Sequence, residues 1–193
     1  MPFSMLDNRI QERFIEYKIS FNEAEQAIKF CELDQLEGLV FPAVNELRYA
    51  GQHLARALSS SDVDEVLCCL DRGLRHTRRA MYDAYDANAN FYLEQCKFFE
   101  YEYKHTVIPE INSNYLDEKL ALEKIKKEIA SENRQVKEVY IEKKKAQLQL
   151  LKDIYTKWDA SRPELNKKRR KDFIVTLIGV ITVAIALIGL IIA

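Results

Sequence analysis

Residues 167–193 read KKRRKDFIVTLIGVITVAIALIGLIIA: five consecutive basic residues, one acid, and then an uncharged apolar run. From Phe173 to Ala193 there are 21 residues without a charge, which as a helix rising ~1.5 Å per residue would span about 31 Å, close to the thickness of a hydrocarbon core. Ile, Val, Leu and Ala occupy every side of the run, so it has no polar face of the kind a surface helix turns to water. It is expected to be a single transmembrane helix. Lys167, Lys168, Arg169, Arg170 and Lys171 stand directly before it, and an excess of Lys and Arg beside a span marks the cytoplasmic side. The N-terminus, Met1-Pro2-Phe3-Ser4, has no basic stretch followed by an apolar one, as a secretory signal would. These features predict a tail-anchored, single-pass protein of the inner (plasma) membrane, inserted after synthesis, with its N-terminus cytoplasmic.

Upstream of the span the chain reads as all-α. With 48% apolar and 31% charged residues over 193 positions it is globular rather than disordered. Glycine and proline are sparse, and no segment alternates apolar and polar residues at period two. Asp7 can cap a first helix to about Ile19, and Ser20 or Asn22 a second to about Leu36. Pro42 suits the first turn of a third helix ending at Ser59-Ser60-Ser61. Asp62 is a good N-cap for a long fourth helix to about Val107, with Asn88 and Asn90 marking a kink and Pro109 the stop. Cys31, Cys68, Cys69 and Cys96 form no CxxC pair and are read as small core residues. His53, His76 and His105 have no zinc spacing, so neither a metal nor a cofactor is expected.

From Glu110 to Ala160 the composition shifts to Lys and Glu with few apolar residues. Leu122, Ile125, Ile129, Val136 and Val139 fit a 3-4 seam that drifts to Leu148, Leu151, Ile154 and Trp158, with Glu132 and Lys143 weakening it. A stripe this narrow predicts a coiled-coil-like arm or stalk, packed on its own domain or on sister chains. The expected organisation is a cytoplasmic helical bundle over 1–108, a charged helical arm over 109–162, a basic juxtamembrane segment over 163–172 and the transmembrane helix over 173–193.

On a helical wheel of the third helix, Val44, Leu47, Ala50, Gly51, Leu54, Ala55 and Leu58 share one side, while Asn45, Arg48, Tyr49, Gln52, His53 and Arg56 share the other. A glycine inside a helix costs about 1 kcal/mol relative to alanine, so Gly51 predicts the close approach of a neighbour. In the fourth helix Val63, Leu67, Leu70, Leu74, Met81, Tyr85 and Tyr92 make a core stripe, and Arg72, Arg75, His76 and Arg79 cluster on the opposite side. Arginines three and four apart repel unless an anion lies between them. Asp83 and Asp86 are candidate internal neutralisers. The alternative is a site in which the arginines offer forked donors to phosphates and Tyr82 stacks on a base. Arg48, His53 and Arg56 extend that anion site. In the span, Gly179, Thr182, Ala186 and Gly189 form a small-residue stripe of the kind through which helices assemble in lipid. There is no Gly-rich phosphate loop, nucleophile elbow or HExxH, so no catalytic residue is assigned.

The strings Val44-Asn45-Glu46-Leu47-Arg48-Tyr49-Ala50-Gly51-Gln52-His53-Leu54 and Leu74-Arg75-His76-Thr77-Arg78-Arg79-Ala80-Met81-Tyr82-Asp83-Ala84 resemble HEPN-like helical domains of bacterial defence loci. With a membrane span, the resemblance is to the Hailong-type effectors of anti-phage systems, which pair with a nucleotidyltransferase. It implies a homo-oligomeric pore gated by a single-stranded oligonucleotide bound to the cytoplasmic domain. Arg48 and His53 also match the loose Arg-then-His pattern of HEPN ribonucleases, but their side chains diverge by about 140° on an ideal helix. A membrane-tethered ribonuclease and a tail-anchored adaptor or scaffold are the competing expectations.

Overall fold

The computed structural model describes residues 7–35, 40–131 and 141–192, and among them every regular element is helical. Five α-helices follow one another: α1 (Asn8–Gln35), α2 (Phe41–Ser59), α3 (Val63–Glu102), α4 (Tyr115–Ser131) and α5 (Ile141–Ile192). A 3-10 turn at Ile108–Glu110 separates α3 from α4. At 40 residues, α3 extends about 60 Å and serves as the spine.

Local signals set its start. Asp62 holds an extended conformation and its Oδ1 accepts the Asp64 backbone N–H at 3.1 Å, with Asp64 and Glu65 in the first turn complementing the positive end of the helix dipole. Pro42 lies in the first turn of α2 as its spacing predicts. The break expected near Ser20 is absent, and α1 runs through it. The Ser20 hydroxyl, instead of capping, bonds the buried Thr77 hydroxyl at 2.6 Å, and Thr77 in turn donates to the Leu74 carbonyl. Asn88 and Asn90 do not interrupt α3, where Asn88 is buried.

The first half of α3 packs on α1 and α2. Ile10, Tyr17, Ala50, Ala57, Leu70 and Leu74 share one apolar cluster, and Ala24, Ala27, Ile28, Ala43, Ala80 and Ala84 a second. Against α3, α2 buries Ala43, Ala50 and Ala57, a line of small residues spaced by seven that lets the two axes approach. The close approach expected at Gly51 lies elsewhere. A Cβ built on Gly51 meets nothing within 4 Å, whereas one built on Gly73 would stand 2.4 Å from Tyr17 Cε2. Ala55 and Leu58, placed on the core side by the wheel, are exposed, as is Cys68; the other three cysteines are buried.

The second half of α3 packs on α4 and α5, which run in opposite directions as a hairpin. Ala89, Tyr92, Cys96, Phe99 and Tyr103 share one core with Leu122, Ile125, Leu148, Leu151, Ile154, Trp158 and Leu165. Within the chain the arm packs on the second half of α3, in a core shared by residues on both sides of Pro109. Rings supply bulk that the arm's narrow stripe lacks: Phe99 of α3 and Tyr115 at the start of α4 lie 5.2 and 5.0 Å from Trp158, centroid to centroid. Trp158 Nε1 donates to Glu118 Oε2 at 2.8 Å, so the buried indole keeps its hydrogen bond. Lys143 pairs with Glu128, and fully buried Lys144 with Asp86 at 2.9 Å. Glu132, Val136 and Val139 lie outside the described residues. Pro163 sits inside α5, which continues without a break through the basic residues into the apolar run. Among the described residues α5 is the one helix long and apolar enough to cross a membrane, and residues 173–189 of its apolar portion are all exposed.

Candidate anion-binding site

Because α2 runs antiparallel to α3, its polar side meets the basic side of α3. The His53 and His76 rings stack, 5.3 Å apart with 18° between planes. Tyr49 lies 5.5 Å from the His76 ring, and the Arg48 guanidinium sits 5.1 Å over the Tyr49 ring. His76 Nδ1 is 2.7 Å from Glu46 Oε2. A carboxylate only accepts, so this nitrogen carries the proton and the ring is held by that bond.

His53 has a buried Nδ1 with no hydrogen-bond partner among the described residues. Burial lowers its pKa, and the neighbouring charges of His76, Arg56, Arg72 and Arg75 lower it further. Three arginines from two helices, Arg56 of α2 and Arg72 and Arg75 of α3, thus act on one imidazole. All three are exposed, as is Arg48, and none of the four has a carboxylate partner among the described residues. Of the two neutralisers expected, Asp86 pairs with Lys144; the acids on this face are Glu46, bonded to His76, and Glu65 beside Arg56. Arg79 is exposed one turn beyond Arg75. Beside the cluster, a shallow depression is lined by Gln52, Arg56, Ser59, Ser60 and Glu65, the Glu65 Oε2 accepting from the Ser60 hydroxyl at 2.6 Å.

Arg48, His53, Arg56, Arg72, Arg75 and His76 are thus brought to one face, and Tyr82 is not. Only 3% of Tyr82 is exposed, and the Lys144 ammonium lies 5.3 Å from its ring centroid, so no base can stack there. Tyr49 supplies the accessible ring instead. Its signal was its place among Arg48, Gln52, His53 and Arg56 on the polar side of α2. Arg48 and His53 contact different partners, Tyr49 and His76, and do not form a pair of their own. Among the described residues no three His, Cys, Asp or Glu side chains converge as a metal site.

In the apolar part of α5, Gly179, Thr182, Ala186 and Gly189 are all exposed. Thr182 Oγ1 donates to the Ile178 carbonyl at 2.9 Å, which satisfies the hydroxyl within its own helix. The glycines have open space around them. No family model matches the chain, and neither a curated protein nor a solved structure matches it.

Proposed function

We propose that this chain is a single-pass membrane protein whose bundle binds a phosphate-bearing ligand of the single-stranded oligonucleotide class on the α2/α3 face, and that α5 carries the ligand state to an assembly of membrane helices. The observation that supports the reading is the cluster of Arg48, Arg56, Arg72 and Arg75, without carboxylate partners among the described residues, around the His53/His76 stack. Like charges gathered on one face cost free energy in the empty state, and an anion removes that cost. Guanidinium forks suit phosphate oxygens, and Tyr49 offers a ring on which a base can stack. The basic residues before the apolar run favour a cytoplasmic bundle.

The test is a titration of labelled single-stranded oligonucleotide against the full chain in detergent at several salt concentrations. Arg75→Ala removes one phosphate contact, so affinity falls and the slope of log affinity against log salt flattens by about 0.7. Lys97→Ala, far along α3, changes neither. Equal binding by wild type and Arg75→Ala, or binding by neither, removes the nucleic-acid reading. Cleavage of labelled RNA, lost in His53→Ala, would replace binding with catalysis.

A further inference from the structure

The connection between α3 and α4 is the part of the bundle nearest the point where α5 becomes apolar. Four contacts fix it there. Arg162 pairs with Glu102, and Lys168 with Glu110; the Tyr103 hydroxyl donates to Asn166 Oδ1 at 3.2 Å; the Arg169 guanidinium lies 5.7 Å from the Tyr103 ring centroid. Lys168 and Arg169 precede Phe173 by five and four residues. At ~1.5 Å per residue their contacts therefore stand about 6–8 Å from the start of the apolar run, within the roughly 5–8 Å that a headgroup layer occupies on each side of a hydrocarbon core.

Three side chains with apolar surface, Tyr101 in the last turn of α3 and Val107 and Ile111 in the connection, are exposed rather than packed into a core, at 69%, 55% and 37%. The Lys104 ammonium lies 4.3 Å from the Tyr101 ring centroid. Tyrosine is enriched where membrane meets water, and lysine near that surface is attracted to anionic headgroups. We propose that residues 101–111 form a second membrane contact, in which Val107 and Ile111 enter the headgroup layer of the bilayer crossed by α5 and Lys104 and Arg169 meet lipid phosphates. The proposal rests on the membrane reading of α5. It makes the bundle sit directly on the bilayer instead of standing off on a stalk.

The test uses the full chain reconstituted in phosphatidylcholine vesicles containing phosphatidylglycerol, with bromine on the acyl chains near the headgroup. Trp158 is fully buried and lies about 22 Å before Phe173 along α5, so it gives a constant background. Val107→Trp adds a blue-shifted emission that brominated lipid quenches, while Ile15→Trp, exposed on α1, adds one that it does not. Ile111→Trp repeats the measurement should the first variant fail to fold. Alkaline carbonate extraction, run in parallel, separates the two readings. A chain that resists extraction but whose Val107→Trp emission is unquenched overturns the proposal alone. Blue-shifted emission that is unquenched and fades on dilution in lipid assigns the surface to a second copy, which also overturns it. A chain that extracts removes the membrane reading and the proposal with it.

Discussion

Gly51 and Gly73 both lie inside helices of the bundle, where glycine is less favourable than alanine by about 1 kcal/mol, yet their surroundings differ. Around Gly51 a methyl group meets nothing, so Gly51→Ala is expected to stabilise the chain by up to about 1 kcal/mol. At Gly73 the methyl would overlap the ring of buried Tyr17. Overpacking of that kind costs about 1–3 kcal/mol, which outweighs the helix gain, and Gly73→Ala is expected to lower the denaturant midpoint. His53 carries a pH dependence. Its folded pKa lies below the ordinary 6.5 through burial and then through the charges of His76 and three arginines. Between those two values the unfolded chain binds more protons, so His53's contribution makes stability fall as pH drops through 6.5 toward the folded value. A bound phosphate opposes the same repulsions and favours His53 protonation. Oligonucleotide affinity should therefore rise from pH 8 to pH 6 and rise less steeply in His53→Gln, as read by the same titration. Which glycine is crowded, and whether Tyr49 or Tyr82 is the open ring, was not legible from a wheel. A wheel sorts side chains by face but does not say which neighbour covers the face.

Elements were more legible than residues, because caps and breakers act locally. Pro42 and Asp62 mark the starts of α2 and α3, and the apolar run marks the end of α5. Ser20 misled because a hydroxyl able to cap can also bond a partner across helices, here Thr77, and nothing near it in sequence distinguishes the two uses. The arm's packing was open for a similar reason: its sparse apolar residues fit either a coiled coil or a face filled by the rings of α3. At this scale the prediction concerns the apolar part of α5. Helices in lipid associate through van der Waals packing and hydrogen bonds rather than a hydrophobic drive, and Thr182's hydroxyl is already bonded within the helix. Close packing along the Gly179, Thr182, Ala186 and Gly189 stripe is therefore what association would rely on. Gly179→Leu and Ala186→Leu raise hydrophobicity and should leave insertion unchanged while lowering the oligomer content seen by cross-linking in membranes. Variants that cross-link as well as wild type would show the stripe to be incidental.

At the scale of the whole molecule, the all-helical class and the single apolar span were readable because composition and length decide them. The basic face was readable in part, since Arg72, Arg75 and His76 share one side of α3 by spacing alone. Its meeting with α2 depends on the antiparallel return of the chain, which spacing within one helix does not encode. The division of α3 between two sets of partners has a mechanical consequence. From Arg75, beside α2, to Tyr103, beside α5, the spine is uninterrupted α-helix up to Glu102 and about 42 Å long. The spine is held along its length, by α1 and α2 on its first half and by α4 and α5 on its second, with Lys144 of α5 reaching Asp86 near the middle, so it moves together with the elements packed on it. Since Tyr103 touches Asn166 and Arg169, the bundle and the stretch of α5 just before its apolar run form one continuous body.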